Sequence, residues 1–333
     1  MKIRLSLILK PLSDATLKLA KQIGVTDIVG GLPASENEPV WDLLPLLRLK
    51  NKVADAGLNL TVMEGSPLME KAKLGLPGRD EEIDDFCQSL LNLGQAGIQT
   101  VCYNFMAGLG WMRTSTTTRG RGGALVTSFE YDPIKHAQPT RFGSLTEEQM
   151  WDNYSYFMEK VLPVAEESGV NLALHPDDPP ISPLFGIARL FTSVNAFDRA
   201  LEIAPSKRHG ITFCQGCFAE MGVDIPKAIH HFGDKGKILF AHFRNLRGNA
   251  YRFEETFHDE GDTDMFAAMR AYQEISFDGP IRPDHVPQME GDPDDRPGYT
   301  IQGRLYAIGY MKGLMDAVDA TTCESSADFA GKV

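Results

Sequence analysis

The sequence contains no apolar run approaching the ~20 residues that a membrane-spanning helix needs. Cysteine is sparse and odd in number: Cys87, Cys102, Cys214, Cys217 and Cys323. That is no disulfide framework, and the reducing cytoplasm is the expected compartment. Positive charge is in deficit, with 33 Lys+Arg against 45 Asp+Glu and a net charge of −12. A general nucleic-acid binder, or a protein held by charge on an anionic membrane, would carry the opposite sign. Neither nucleic acid nor membrane is therefore an expected partner. No glycine-rich dinucleotide or P-loop motif follows a strand-like run. An anionic substrate must be met locally, by a metal or a few placed arginines, which suits a small polar metabolite. The opening MKIRLSLILKPLSD has a basic residue and a short apolar run but lacks a small-residue cleavage site. Pro11, Asp14 and Lys18 end that run early, so it reads as a first buried strand rather than a signal peptide.

What is present is one repeating pattern: a short apolar, β-rich run, a loop, then a stretch with apolar residues three and four apart. The strand-like runs are Ile3–Leu9, Asp27–Val29, Leu58–Met63, Thr100–Asn104, Asn171–His175, Gly210–Cys214, Ile238–His242 and Gly279–Asp284. The helical stretches are Leu12–Ile23, Val40–Ala56, Glu81–Ala96, Thr146–Ser168, Val194–Ile203, Ile225–Phe232, Asp264–Glu274 and Thr300–Val318. Continuous apolar strands are covered on both faces, which favours parallel pairing with right-handed helical crossovers. Eight such units predict an α/β fold of the (β/α)₈ barrel type, one domain over residues 1–333, with an open doubly wound sheet as the alternative.

Two regions break the pattern. Residues 106–144, after the fourth strand, hold Trp111, Arg113, the piece TSTTTRGRGG and a possible hairpin, ALVTSFEYD. A loop that long inside a compact domain is expected to be a lid or interface element, with TTTRGRGG equally readable as a disordered surface insertion. The tail 320–333 has no periodicity and is expected to be irregular.

Chemistry gathers at the ends of the last four strands: His175 in LALHPDDPP, Cys214 in ITFCQGC, His242 in ILFAHFRN, and Asp284 with His285 in IRPDHVP. Barrel active sites sit at the carboxyl ends of the strands. Each residue alone is more often a hydrogen-bonding or packing group, but four metal-competent side chains at four successive strand ends converge on one arc of the rim. Two imidazoles, a thiolate and a carboxylate make a first shell for a divalent transition metal. Cys214-Gln-Gly-Cys217 is a CxxC. No second CxxC exists and the pattern opens no helix, so dithiol chemistry is not expected, and Cys217 is a weaker ligand candidate than Cys214.

Neighbouring residues of an extended segment alternate in direction, so His285 should point away from Asp284 and be free to work as acid or base. Tyr299, before the last helix, could reach the same rim. Arg113, Arg244 and Arg282 are candidates for holding a substrate carboxylate, where a bidentate fork has value. His258, on the acidic loop TFHDEGDTDM, is a candidate to close over substrate. Asp177 and Asp178 either orient a ligand imidazole or cap the following segment.

At these residues the sequence resembles the mannonate dehydratases, over the blocks TVCYNFMAGLGWMRT, VLPVAEESGVNLALHPDDPP, TFHDEGDTDM, RPDH and PGYTIQGRLYAIGYMKGL, in order from Thr100 to Leu314. The resemblance implies a xylose-isomerase-like barrel that dehydrates D-mannonate to 2-keto-3-deoxy-D-gluconate with a divalent metal, Mn²⁺ first and Fe²⁺ or another transition metal next. It implies metal ligands His175, Cys214, His242 and Asp284, an acid/base pair His285 and Tyr299, and assembly with further copies of the chain. The chain departs from that family's pattern in its first ~40 residues. IRLSLILKP and VGGLPAS stand where an aromatic-glycine cluster and histidines are usual, CQGC replaces a Cys-Thr-Gly-Ser type of sequence, and Val286 replaces a glycine. The metal and acid/base machinery is kept while part of the substrate wall is changed.

The residues and the resemblance agree on a reaction type. The hydrogen α to a carboxylate is hard to remove because charge builds on that carboxylate, and a metal stabilises the developing enediolate. One of Tyr299 and His285 takes the C2 proton and the other protonates the departing C3 hydroxyl, with Tyr299 preferred as base. A metal-dependent sugar isomerase or epimerase on the same barrel is the alternative, as it too abstracts a proton beside a carbonyl.

Overall fold

The computed structural model describes residues 2–330 apart from 34, 36, 294 and 295. The chain opens with β1 (Arg4–Ile8), β2 (Asp27–Gly30), β3 (Asn59–Glu64) and β4 (Thr100–Asn104). It then makes β5 (Ser115–Arg119) and β6 (Leu125–Glu130) before returning to β7 (Asn171–His175), β8 (His209–Cys214) and β9 (Ile238–Phe243). A second excursion forms β10 (Leu246–Asn249) and β11 (Arg252–Glu255), and β12 (Pro280–Pro283) follows. Eight of these close into a parallel barrel in the order β1-β12-β9-β8-β7-β4-β3-β2. They are the eight strands read from the sequence, and the helices between them cover the outside. Gly57, Gly97 and Gly169 all adopt positive φ at helix ends, the left-handed stop that glycine makes without a Cβ penalty.

The barrel interior is built in layers. Ile8, Val29, Val62, Cys102, Ala173 and Phe240 form a small apolar plug inside the strands. Side chains alternate along a strand, so the next inward position lies two residues further on. From Ile8, Val62, Cys102, Ala173 and Phe240 that step reaches Lys10, Glu64, Asn104, His175 and His242, all of which line one cavity at the carboxyl mouth. The same step from Thr212, whose hydroxyl lies 3.1 Å from Cys102 Sγ inside the barrel, reaches Cys214. From Arg282 it reaches Asp284. Register brings these together: Cys214 pairs with His242, and His242 with Arg282.

Two expectations fail here. The TTTRGRGG piece of the 106–144 segment is not a disordered insertion. TTTRGRGG supplies β5 and a tight turn, and β6 follows, so two strands pair where only a possible hairpin in ALVTSFEYD was legible. Both join the excursion after β9 in a four-stranded antiparallel sheet, β10-β11-β6-β5, over the barrel mouth. Phe129 and Phe253 stack across the β6–β11 pair with ring centroids 5.8 Å apart and anchor it. The tail is likewise not irregular through 330, since the last helix runs Ile301–Ala330. ATTCESSADFA contains neither proline nor glycine, so nothing in it stops a helix. Residues 331–333 of the expected tail lie outside the described residues.

Candidate active site

The cavity at the carboxyl mouth holds about 220 Å³ and is walled by the inward residues of the strands, Trp111 from the 106–144 segment, and His285 and Tyr299. His175, His242 and Asp284 in its wall belong to a cluster of ligand-type atoms that continues behind it to Cys214 and Cys217. Those of Cys214, His242 and Asp284 lie within 4.8 Å of one another, as do those of His175, Cys214 and Cys217. His175 Nδ1 sits 2.7 Å from the Pro176 carbonyl, to which it donates, leaving Nε2 with a free lone pair. Neither nitrogen of the fully buried His242 has a hydrogen-bond partner. The nearest carboxylate oxygens, Glu64 Oε2 and Asp284 Oδ2, stand 3.6 and 3.5 Å away. Burial opposes ionisation of the Cys214 thiol, but the Cys217 thiol and the neighbouring His175 and His242 imidazoles hold it well below the usual thiol range. Burial likewise resists the Asp284 carboxylate, and Arg282, His285 and His242 overcome it. A buried imidazole with two orphaned nitrogens, beside a thiolate and a carboxylate, has the donor set of a divalent transition-metal site.

Beside this cluster, His285 Nε2 and the Tyr299 hydroxyl are 3.1 Å apart. On the other side of the ring, His285 Nδ1 is 2.8 Å from Glu255 Oε1 and 3.0 Å from Arg113 Nη2. Nδ1 cannot both donate to the carboxylate and accept from the guanidinium. The shorter contact assigns the proton to Nδ1, donated to Glu255, which leaves Nε2 to accept from Tyr299. Burial, Asp284 and Glu64 push the Tyr299 phenol well above its ordinary range against the pull of Arg282, so it carries its proton. Trp111 meets the His285 ring edge-on at 5.3 Å. His285 does not alternate away from Asp284 as an extended strand would require. Its φ of +42° breaks the strand path, and both side chains face the cavity.

The arginines behave differently from expectation. Arg244 does not line the cavity. It is fully buried, with Nε 2.9 Å from Glu255, Nη1 3.1 Å from Asp178 and Nη2 on Glu220 and Glu255. Arg113 is similarly consumed by Asp178 and Glu255 behind the wall. Arg282 does line the cavity, but its guanidinium is spent on Glu64 and Asp284. In each case buried carboxylates outnumber the cations they face, and burial forces pairing before substrate arrives. His258 does not close over substrate either; it is buried, with Nε2 2.8 Å from the Phe243 carbonyl. Asp177 holds Arg189 and the Phe191 amide, and Asp178 holds Arg113 and Arg244, so neither orients a ligand imidazole. The CxxC does open a helix. Cys214 is the residue before the helix Gln215–Glu220, and the Cys217 sulfur in its first turn lies 3.3 Å from the Cys214 sulfur. That helix is one buried turn and a half, too short to show periodicity.

Sequence reasoning missed Glu64, Lys10 and Glu255. Glu64 and Lys10 follow the same strand-end rule that found His175, applied to the first half of the barrel. Glu255 sits on a strand outside the barrel pattern, and no sequence signal points to it.

The closed parallel barrel, with this cluster and a paired imidazole and phenol at its carboxyl mouth, is of the xylose-isomerase-like fold class. Solved structures of a D-tagatose 3-epimerase-like protein (TM-score 0.62, 13% identity, covering 96% of this chain and 100% of that one) and an L-ribulose 3-epimerase (0.63, 14%, 97% and 98%) share that fold. Within the class, the chain belongs to the D-mannonate dehydratase (UxuA) family, whose sequence profile matches residues 7–144 and 137–325. It is 36% identical to mannonate dehydratase 2 of Halalkalibacterium halodurans over 338 residues, 93% of this chain and 97% of the relative. It is also 36% identical to the mannonate dehydratase of Thermotoga maritima, over 91% and 94% of the two chains. The crystal structure of mannonate dehydratase from Streptococcus suis serotype 2 superposes with a TM-score of 0.89 at 34% identity, covering 97% and 94%. The chain is thus a carbon–oxygen hydro-lyase of the sugar-acid dehydratase kind. Among the described residues no helix is long and apolar enough to cross a membrane.

Proposed function

We propose that this chain converts D-mannonate to 2-keto-3-deoxy-D-gluconate and water, with one divalent transition ion, Mn²⁺ or Fe²⁺, held by His175, Cys214, His242 and Asp284. The observation that carries this reading is the His285–Tyr299 pair, 3.1 Å apart at the edge of the ligand cluster. When bound, the ion supplies Lewis acidity to the substrate carboxylate and its neighbouring hydroxyl, which makes the C2 proton easier to remove.

The side chains do the rest. Tyr299 takes the C2 proton on its oxygen as it hands its own proton to His285 Nε2. The imidazolium so formed is stabilised by the Glu255 carboxylate at Nδ1. His285 Nε2 then protonates the C3 hydroxyl, which leaves as water while the C2–H electron pair becomes the C2=C3 bond. The enol ketonises with protonation at C3. Tyrosine and histidine end as they began, so the pair turns over without an outside proton source. Trp111, 40% exposed, covers the His285 ring on the solvent side.

The test is product analysis with Mn²⁺-loaded protein and D-mannonate. The expected product has lost one water and carries a single deuterium at C3 when made in D₂O. His285→Asn and Tyr299→Phe should each lower kcat by about 10²–10⁴-fold while still binding the ion. A product of unchanged mass, full activity in either variant, or turnover insensitive to a chelator would overturn the proposal.

A further inference from the structure

The reading above gives Cys214 a place among the ligands but leaves its buried neighbour Cys217 without a role. We propose that these two cysteines form a reversible disulfide that withdraws the Cys214 sulfur from the active-site cluster. The pairing stands on the sulfur geometry; only its antagonism with a bound ion rests on the reading of Cys214 as a ligand.

Cys214 ends β8 and Cys217 lies three residues on, in the first turn of the helix Gln215–Glu220. That spacing stacks the two side chains on one face. Their sulfurs are 3.3 Å apart, so a bond of ~2.05 Å requires them to close by only about 1.3 Å. Both residues are fully buried, and the other described cysteines make their contacts elsewhere. Cys102 Sγ accepts from the Thr212 hydroxyl, and Cys87 lies on the outer helix Arg79–Ala96 beside the Lys160 carbonyl. Arg244 Nη1 stands 3.7 Å from the Cys214 sulfur and 3.4 Å from that of Cys217, a cation shared by the two. Neither sulfur lines the cavity, and the route to them runs past His175. His175 lines the cavity and offers a nitrogen within 4.8 Å of both sulfurs, near enough for a small hydroperoxide to reach them.

The chemistry balances with a hydroperoxide as oxidant. The Cys214 thiolate attacks one peroxide oxygen, the O–O bond breaks, and a sulfenic acid and a hydroxide result, the hydroxide becoming water with the proton that the thiol had released. The Cys217 sulfur then attacks the Cys214 sulfur, the S–O bond breaks, and a second water leaves. Two thiols and one hydrogen peroxide give one disulfide and two waters. A disulfide sulfur is no longer the thiolate that binds a metal. Ion and disulfide therefore compete for the same atom.

The experiment uses the full chain, stripped with a chelator or loaded with Mn²⁺, exposed to hydrogen peroxide and followed by intact mass and peptide mapping. The stripped protein should lose two hydrogens, mapped to a Cys214–Cys217 link, and dithiothreitol should restore them. With Mn²⁺ at about ten times its Kd, the link should form about tenfold more slowly. Cys217→Ser should form no link and instead gain oxygen at Cys214, the irreversible branch of thiol oxidation. Should that variant not fold, alkylation of the wild-type thiols before and after peroxide reads the same pairing. Oxygen gain without hydrogen loss in the wild type, or a link to Cys87, Cys102 or Cys323, would overturn the disulfide. A link that forms equally fast with and without Mn²⁺ would overturn the ligand role of Cys214 and leave the pairing intact.

Discussion

Glu255 Oε1 lies 2.8 Å from His285 Nδ1, and the two residues come from different layers of the molecule. Glu255 closes β11 in the sheet over the mouth, whereas His285 follows β12 in the barrel. The same carboxylate holds Arg113 and Arg244, at 2.8 and 2.6 Å. Burial resists its charge, and Arg244, His285 and Arg113 pull its pKa far below the ordinary glutamate value. The sheet outside the barrel thus fixes the tautomer of the histidine inside it.

Glu255→Gln should keep the shape of this contact while removing its charge. The expected result is a fall in kcat on the order of 10²-fold or more, with little change in KM or in bound metal. Steady-state kinetics with metal analysis check it; an unchanged kcat would separate Glu255 from the proton relay.

Arg282 bridges Glu64 and Asp284 from the barrel wall, with its side chain 1% exposed. Arg282→Met would leave two facing carboxylates without their cation, a loss of about 3–5 kcal/mol for breaking a buried ionic group. Denaturant unfolding of the chelated protein should show the deficit, and adding Mn²⁺ should recover part of it.

Gly216, inside the short helix after Cys214, has no room for a side chain. An added Cβ would overlap Cδ, Nε and Cζ of Arg244, which four acidic contacts hold in place. Gly216→Ala should therefore displace Arg244 and cost roughly 1–3 kcal/mol, the usual range for overpacking. Activity should fall with it. A wild-type melting temperature would show that Arg244 can move.

His209 opens β8 at the closed end of the barrel, with Nδ1 2.9 Å from the Ala204 carbonyl and Nε2 3.2 Å from the Tyr154 hydroxyl. Burial lowers its pKa from 6.5 to about 4, against the opposing Ala204 contact. Between pH 6.5 and 4 the unfolded chain takes up a proton that the folded chain refuses. Stability contributed by the neutral ring is complete above pH 6.5 and falls as pH drops through that window, by roughly 3 kcal/mol in total. His209→Gln should flatten this part of the curve, read as urea midpoints at pH 7 and 4.5.

The barrel was legible because its signal is local and periodic: eight apolar runs, each followed by a helical pattern, with glycine stops between them. The inward rule of two carries the cavity wall as well, from Ala173 to His175 and from Phe240 to His242. What stayed hidden depends on contacts distant in sequence. Arg113, Arg244 and Arg282 read as free cations because Asp178, Glu255 and Glu64, which hold them, lie between 11 and 218 positions away, and only Asp284, the second partner of Arg282, is near in sequence. TTTRGRGG lacks alternating apolar residues, since its strand borders solvent and owes its pairing to β6. The positive φ at His285 is set by the tertiary surroundings, and local sequence gives no sign of it.

The pairing of β6 with β11 ties the loop above the fourth barrel strand to the loop above the seventh. Trp111 and Arg113 sit on one loop and Glu255 on the other, so the two form a single structural module. A chimera that grafts one of them onto another barrel without its counterpart would carry half a relay and no means of seating it.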